Sequence, residues 1–235
     1  MFRIERNARA PLGSAGMIDG GSFAQLLPPG VAVFETRAPD IAPPLLPEER
    51  QHVANAVPKR VREFRAGRAC ARAALKQLGI EGFALHPGER REPLWPPGIV
   101  GSITHTLGYA AAAAGHTCSV RAVGIDAELS TSVESSLWSE IATRSELERL
   151  ATLAEPAATV AASILFSAKE AFYKCQFPLT GEWLDFLDIR IEPHAASGFE
   201  IVPCRPLRLQ GHAQRPWRGR FFVEEGLVLT AVCLR

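Results

Sequence analysis

The sequence has few cysteines, no excess of either charge and no long apolar run. Its five cysteines are scattered and none forms a Cys-x-x-Cys pair, which argues against a disulfide framework or a structural zinc site. A net charge of +1 gives no overall field favouring nucleic acid. No apolar segment is long enough to span a membrane, and residues 1–20 lack the apolar core of a secretion signal. We therefore expect a cytoplasmic protein without nucleic-acid or membrane partners.

Three common catalytic signatures are also missing. The sequence contains neither a P-loop nor a Gly-x-Gly-x-x-Gly dinucleotide stretch. Gly101-Ser102-Ile103 does not continue into the Gly-x-Ser-x-Gly elbow of serine hydrolases. The composition, 47% hydrophobic and 22% charged, nevertheless fits a globular protein with a sizeable core. Its chemistry must come from other residues.

The first half of the chain predicts a strand followed by a long helical region. Residues 30–35 read as the strand, and helix-forming residues fill 48–57 and 59–78. Pro58 is either an interruption or a new first turn, and Gly79 is a suitable stop.

Two further strands are predicted around the middle of the chain. Alanine favours helices, but glycines on both sides leave too little room for one, so 110–114 is predicted as a strand. A second strand over 120–129 is expected to pair back with it as a hairpin.

The second half predicts helices followed by strands. One or two helices are expected over 139–154, and a stronger helix over 157–176 that ends before Pro178. Four strands follow, over 186–191, 198–202, 218–224 and 227–234. Helices beside antiparallel strands in each half predict an α+β protein of two similar lobes, 1–120 and 121–235.

Two acidic residues share one face of the predicted strand over 120–129. Because side chains alternate along a strand, Asp126 and Glu128 project together, opposite an apolar face. That apolar face consists of Val123, Ile125, Ala127 and Leu129. Mg²⁺ prefers oxygen ligands and takes one or two carboxylates together with substrate phosphates and water. The pattern also fits an exposed strand with two ordinary acids, and both interpretations stay open.

A second motif places an acid and a base on one helix face. Glu170 and Lys174 are four residues apart, a spacing that also describes an ordinary surface ion pair. Phe166, Phe172 and Tyr173 surround them, which favours a pocket wall over an open surface.

Basic and hydroxyl residues offer candidate phosphate contacts. The run over 59–68 is strongly basic and continues to Arg72, although such runs are commonly solvated helix faces. His105 can donate to a phosphate oxygen or serve as a structural hydrogen-bonding residue. Ser102 and Thr104 are either phosphate donors or ordinary strand hydroxyls.

Four segments, in order and spacing, resemble the large single-chain 4'-phosphopantetheinyl transferases. They are 64–72, 101–105, 124–128 and 166–174. The similarity runs from about residue 50 to 190 and is strongest to the enterobactin and mycobacterial subgroup, through Gly-Arg-x-Cys-Ala-Arg and 177–180. The resemblance implies two α/β lobes related by pseudo-twofold symmetry, with coenzyme A bound between them in a monomer.

The resemblance also implies a reaction. The enzyme would transfer the phosphopantetheine arm of coenzyme A to a serine of an acyl, aryl or peptidyl carrier protein, leaving adenosine 3',5'-bisphosphate. Asp126, Glu128 and Glu170 would hold Mg²⁺, for which Mn²⁺ can substitute. Glu170 would take the serine proton, directly or through a metal-bound water, and Lys174 would stabilise or protonate the leaving phosphate.

The remaining implied contacts are to coenzyme A. Arg60 and Arg68 would bind a phosphate, in particular the 3'-phosphate, through the planar guanidinium donors. His105 would contact the diphosphate, with Ser102 as a further donor.

One segment departs from the pattern of the family. Many relatives carry Gly-Lys-Pro near the adenine, where this chain has Arg91-Glu92-Pro93, preceded by Arg90. If backbone atoms contact the adenine, the difference matters little. If the lysine supplies charge, Arg90 or Arg91 must replace it.

Two other functions remain compatible with the residues. A Mg²⁺-dependent hydrolase of diphosphate metabolites would use the same carboxylates but would leave the basic helix unexplained. A non-catalytic module that binds coenzyme A or a carrier protein would need neither Glu170 nor Lys174. The sequence also leaves open which carrier is modified, in siderophore, polyketide, nonribosomal peptide or fatty-acid synthesis.

Overall fold

The computed structural model describes residues 17–19, 22–194, 197–208 and 217–235. Its first sheet is antiparallel, with strand order β1-β2-β4-β3. The strands are β1 (Met17–Asp19), β2 (Val31–Thr36), β3 (Ile99–Thr106) and β4 (Tyr109–His116). The strands predicted over 30–35 and 110–114 are thereby confirmed.

The second sheet is also antiparallel and has the order β5-β9-β8-β7-β6. Its strands are β5 (Ala122–Leu129), β6 (Ile189–His194), β7 (Gly198–Pro203), β8 (Trp217–Glu224) and β9 (Leu227–Leu234). The predicted C-terminal strands are present, except that β6 begins at Ile189, after a 3-10 turn over 186–188.

Five α-helices lie within the described ranges. They are α1 (Pro47–Arg50), α2 (Pro58–Gln77), α3 (Trp138–Ile141), α4 (Arg144–Leu150) and α5 (Ala157–Thr180). Pro58 is the first residue of α2, where a missing N–H costs no hydrogen bond. Gly79 follows the end of α2 with a φ of 80°, as expected of a stop. The helix predicted over 48–57 is shorter than expected, since α1 passes into a 3-10 turn at Gln51.

The predicted end of the last helix was wrong. α5 continues through Pro178 to Thr180, and Gly181 caps it in the left-handed conformation. Proline removes one backbone hydrogen bond, the one to the Lys174 carbonyl. Side chains hold the last turn instead: Thr180 Oγ1 donates to the Gln176 carbonyl at 3.2 Å, and Gln176 Nε2 donates to the Glu182 carbonyl at 2.8 Å.

The predicted hairpin between the alanine strand and β5 was also wrong. β4 pairs with β2 on one side and with β3 on the other, so neither edge remains for β5. β5 pairs instead along its whole length with β9, from Ala122 opposite Leu234 to Leu129 opposite Leu227. The partner of β5 comes from the far end of the chain, which local sequence cannot indicate.

The alanine run of β4 is buried on both faces. Ala111 and Ala113 enter the core between the two sheets, while the alternate alanines pack towards α2. Small side chains let the helix lie close to the sheet. At Gly67 of α2, an added Cβ would come within 2.8 Å of Ile103 Cγ2. Packing therefore overrides the helix propensity of alanine.

Hydroxyl groups join the two sheets. β5 is an edge strand, and its outer N–H groups need acceptors. Ser102 Oγ accepts from Ile125 N at 3.1 Å, and Thr104 Oγ1 accepts from Ala127 N at 3.0 Å. Both side chains come from β3, which runs in the same direction as β5 here. The strand with the acidic residues is thus fixed against the first sheet.

The arrangement confirms the predicted α+β class, with α2 packed on the first sheet and α5 on the second. The pseudo-twofold relation implied by the family stays a prediction. Across the described ranges, every helix is too short or too polar to cross a membrane.

Candidate active site

A cleft of about 250 Å³ lies between α2, the loop over 86–94, β3 and the C-terminal half of α5. Its wall contains all the predicted site residues except Asp126 and Glu128. Those lining residues are Arg60, Arg68, Arg90, Arg91, Glu92, Pro93, Ser102, His105, Glu170 and Lys174. Segments far apart in sequence therefore converge on one concave surface, as an active site requires.

The basic wall is built on one face of α2. Arg60, Phe64 and Arg68 follow each other at intervals of four residues, so they lie above one another along the helix. The guanidinium carbon of Arg68 is 4.2 Å from the centre of the Phe64 ring, and that of Arg60 is 5.9 Å away. An aromatic face held between two arginines orients them.

Arg68 is buried, in contrast to the exposed Arg60. Its Nε donates to the Leu85 carbonyl at 3.0 Å, which fixes the plane of the guanidinium. Burial lowers the pKa of Arg68 to about 10, so the side chain remains charged at neutral pH. A fixed cation in a cleft is suited to a phosphate oxygen.

The loop over 86–94 is a hairpin-like turn held by its own carboxylate. Gly88 N donates to the Glu92 carbonyl at 2.7 Å, and Arg90 N donates to Glu92 Oε2 at 2.9 Å. Arg91 has a φ of 68° at the tip. Glu92 thus stabilises the conformation of the loop. The exposed Arg90 and Arg91 supply its positive charge.

Asp126 lies at the centre of a buried hydrogen-bond network. Lys174 Nζ donates to Asp126 Oδ1 at 2.6 Å and Ser167 Oγ donates to Oδ2 at 2.8 Å. Thr104 Oγ1 adds a longer contact to Oδ1 at 3.3 Å. Only 3% of Asp126 is exposed, so these donors replace water around a buried carboxylate. They fix β5 relative to α5.

Lys174 is positively charged in the cleft. Burial alone would lower its pKa, but the carboxylates of Asp126 and Glu170 outweigh that effect and raise the pKa above its usual value. The ammonium of this partly exposed side chain therefore remains charged. The ion pair of Lys174 is with Asp126, rather than the surface pair with Glu170 that the spacing alone allowed.

The other two carboxyl groups have raised pKa values. Burial, helped by the charge of Asp126, raises the pKa of Glu128 to about 7. Burial also raises the pKa of Glu170, although Lys174 acts in the opposite direction. A carboxyl group with a raised pKa is a better proton acceptor once it is ionised.

The acidic residues have the donor chemistry of a magnesium site. All their donor atoms are carboxylate oxygens, which Mg²⁺ prefers, and they lie beside a cleft that can hold a phosphate. Within the described ranges, however, no three His, Cys, Asp or Glu side chains already surround one point. Asp126, Glu128 and Glu170 thus fit the ion by composition, while the Lys174 ammonium balances the charge of Asp126.

His105 faces the cleft from β3. Burial lowers its pKa, while the carboxylate of Glu63 acts in the opposite direction. A neutral imidazole still provides one N–H donor towards a phosphate. Ser102, on the same strand, accepts from Ile125 N and keeps its own hydroxyl proton for donation.

Sequence reasoning missed the residues that orient Asp126. Ser167 was part of the motif but was given no role, and Thr230 of β9 lies 2.8 Å from its hydroxyl. A signal was present, because Ser167, Glu170 and Lys174 are spaced to share one helix face. Glu63, which lines the cleft beside His105, had no such signal.

The lysine that precedes Glu170 in the sequence has a structural role. Lys169 points away from the cleft, is 2% exposed, and donates to Glu146 Oε2 at 2.8 Å. It also donates to the carbonyls of Ile141 and Phe186, each at 2.8 Å. These bonds hold α5 against its neighbours and so fix the position of Glu170.

Comparison with known proteins matches both halves of the chain. A family model described as the 4'-phosphopantetheinyl transferase N-terminal domain matches residues 48–115. A second model, described as the 4'-phosphopantetheinyl transferase superfamily, matches residues 122–232. Together they cover the cleft-lining segments of α2, β3 and α5.

Curated relatives carry the same description. 4'-Phosphopantetheinyl transferase Svp of Streptomyces mobaraensis is 41% identical over 219 residues, covering 90% of this chain and 89% of Svp. PptT of Mycobacterium tuberculosis is 40% identical over 235 residues, covering 93% of this chain and all of PptT (100%). Enterobactin synthase component D of Escherichia coli K12 is 38% identical over 135 residues, 57% of this chain and 62% of that protein. These matches confirm the resemblance seen in the motifs, and the chain is an enzyme that belongs to the 4'-phosphopantetheinyl transferase superfamily.

Proposed function

We propose that this protein transfers the 4'-phosphopantetheine group of coenzyme A to a serine of an apo acyl, aryl or peptidyl carrier protein. The second product is adenosine 3',5'-bisphosphate. One observation carries the proposal: the cleft has the fixed Arg68 together with Arg60 on one wall, and Glu170 with Lys174 on the other. The lobes 1–120 and 121–235 supply opposite walls in this proposal.

The basic wall supports coenzyme A as the donor. Coenzyme A carries a diphosphate and a 3'-phosphate, and Arg60, Arg68 and His105 offer donors for both. Arg90 and Arg91 add charge from the loop, where relatives have a lysine. Arginine binds phosphate with paired donors, so its position also orients the ligand.

The acidic wall supports group transfer. The serine oxygen attacks the phosphate bonded to the pantetheine arm, and Glu170 accepts the serine proton. The bond to the other phosphate breaks. Lys174, which is protonated before the reaction, neutralises the charge on the departing oxygen or donates its proton to it. Phosphoryl transfer depends mainly on positioning and on neutralising charge.

The proposal includes Mg²⁺ held by Asp126, Glu128 and Glu170. When bound, the ion would neutralise the diphosphate and orient it for attack. The chain itself prepares the ligands: Ser167 and Thr104 orient Asp126, and Lys174 keeps its charge balanced.

Mass spectrometry of an apo carrier protein tests the function. The carrier is incubated with the enzyme, coenzyme A and Mg²⁺, and a serine-linked gain of the phosphopantetheine mass is expected. Carriers from peptide, polyketide and fatty-acid systems should be compared, with a serine-to-alanine carrier as control. Cleavage of coenzyme A without any carrier modification would instead indicate a hydrolase. Binding without either reaction would indicate a non-catalytic module.

Removing Arg68 should mainly weaken the binding of coenzyme A. A charge-assisted hydrogen bond contributes about 1.5–3 kcal/mol, so Arg68→Ala should raise the KM for coenzyme A about 10- to 100-fold. Steady-state kinetics with a fixed carrier concentration measures this. Arg62→Ala is the matched control, because Arg62 lies on the same helix but pairs with Asp40 at the surface. An unchanged KM in folded Arg68→Ala would contradict the phosphate contact.

Ser167 should act as a positioning residue for Asp126. Loss of an outer partner of a metal ligand costs about 10- to 100-fold in metal affinity, so Ser167→Ala should raise the Mg²⁺ concentration for half-maximal activity about tenfold. Titration of activity with Mg²⁺ measures the shift. Ser163→Ala is the control, since Ser163 is equally buried one turn earlier and donates to the Ser130 carbonyl. Equal shifts in both variants would indicate a general packing defect.

A further inference from the structure

Two histidines from separate segments meet outside the cleft. His52 lies in the 3-10 turn after α1, and His86 begins the loop over 86–94. His52 Nε2 is 2.9 Å from His86 Nδ1, and the rings stand edge to face at 80°. Without a metal, one proton between the two nitrogens makes this contact a hydrogen bond.

The separation of the two nitrogens also matches a pair of metal ligands. Two nitrogens that each lie about 2.1 Å from one ion are about 3.0 Å apart at a right angle and about 3.4 Å apart at a tetrahedral angle. The observed separation of 2.9 Å is therefore close to that of two ligands at a right angle. To bind an ion, each ring carries its proton on the nitrogen that faces away from the partner, and both rings turn so that the facing nitrogens point at the ion.

The backbone beneath both histidines is held by a single carboxylate. Glu49, three residues before His52, is fully buried and accepts from Leu85 N, next to His86, at 3.3 Å. Its other oxygen accepts from Arg72 at 2.5 Å. The two ligand-bearing segments are thus fixed to each other before any ion binds.

The carbonyl of Leu85 extends this connection to the cleft. It accepts from Arg68 Nε at 3.0 Å, so the backbone before His86 is held on both sides. Preorganised ligands lose little conformational freedom on binding. The backbone segments that carry the two imidazoles are therefore preorganised relative to each other.

We propose that His52 and His86 form a bidentate site for a borderline transition-metal dication such as Zn²⁺, Ni²⁺ or Cu²⁺. Imidazole nitrogen suits these ions, whereas Mg²⁺ prefers oxygen. Among the described residues no third His, Cys, Asp or Glu completes the site, so water fills the other positions. The site is distinct from the carboxylates of the cleft and does not depend on the transferase reaction.

Calorimetric titration of the purified protein with ZnCl₂ and CuCl₂ tests the site. Since loss of an outer partner alone costs about 10- to 100-fold in affinity, loss of a ligand should cost at least about tenfold. His52→Ala and His86→Ala should each show that loss. The control is His116→Ala, an exposed histidine at the end of β4, which should bind the ions as the wild type does. MgCl₂ should produce no signal that depends on either histidine.

Electron paramagnetic resonance of the Cu²⁺ form counts the ligands directly. The wild type should show two coordinated imidazole nitrogens, and each single variant one. Circular dichroism without metal confirms that the variants are folded, and His52→Gln gives a second variant that keeps a polar side chain. Equal Zn²⁺ affinity in the wild type and both alanine variants, or a wild-type copper spectrum with one nitrogen, would overturn the proposal.

Discussion

Glu170→Gln should abolish carrier modification while leaving the protein folded. The amide has almost the same shape as the carboxyl group but cannot accept the serine proton. General-base catalysis contributes about 10²- to 10⁴-fold, so kcat should fall at least a hundredfold. Single-turnover mass spectrometry with saturating coenzyme A and Mg²⁺ measures the loss.

The environment of Glu170 makes this variant informative. Its carboxyl group is partly buried in the cleft near Lys174, and burial raises its pKa, so the substitution changes a group inside the cleft rather than one on the open surface. Glu140→Gln is the matched control, because Glu140 is an exposed acid in the same lobe. Unfolding curves of both variants should match the wild type. Wild-type turnover by Glu170→Gln would refute its role as the base.

Gly124→Ala should damage both stability and activity. A Cβ at Gly124 would lie 1.9 Å from the Ala171 carbonyl oxygen and 2.6 Å from Cys175 N. Both atoms belong to the backbone of α5, so no side-chain rotation relieves the clash. Overpacking typically costs about 1–3 kcal/mol, and we expect the upper end of that range. Denaturant unfolding measures the change.

Gly124→Ala should also change the positions of the active-site residues. Gly124 lies two residues before Asp126, and Ala171 follows Glu170, so separating β5 from α5 moves the acidic residues apart. A displacement of about 1 Å can cost about a hundredfold in rate. Activity per folded molecule should therefore fall. Wild-type activity per folded molecule in a destabilised variant would contradict the link between the contact of β5 with α5 and the active site.

Gly108→Ala distinguishes a clash from backbone strain. Gly108 has a φ of 72°, but a Cβ there would meet no atom within 4 Å. The left-handed conformation should cost about 1–2 kcal/mol. The variant should lose some stability but retain activity per folded molecule. Equal loss of activity in both glycine variants would mean that unfolding, rather than the clash with α5, explains the defect.

Local patterns predicted which side chains share a face of one element, because alternation and helical spacing are properties of a short segment. Alternation along β5 placed Asp126 and Glu128 on one face, and helical spacing placed Glu170 with Lys174. The structure brings Arg60 and Arg68 to the opposite wall.

Local patterns failed where a distant segment decided the outcome. The hairpin between β4 and β5 looked reasonable because the strands are consecutive, yet β9 displaces β4 as the partner of β5. Proline predicted the end of α5 too early, because Thr180 and Gln176 hydrogen-bond to backbone carbonyls of the last turn and of the loop after it. A distant strand decided the first case, and side-chain hydrogen bonds around the helix end decided the second.

The sequence by itself determined the elements, the family and the residues available for chemistry. These depend on periodicity, turn residues and motif order, which are local properties of the chain. Only the tertiary structure decided that Lys174 pairs with Asp126, that Ser167 and Thr104 orient that carboxylate, and that hydroxyls of β3 join the sheets. These contacts link residues far apart in sequence, and they form because buried polar groups must find partners within the fold.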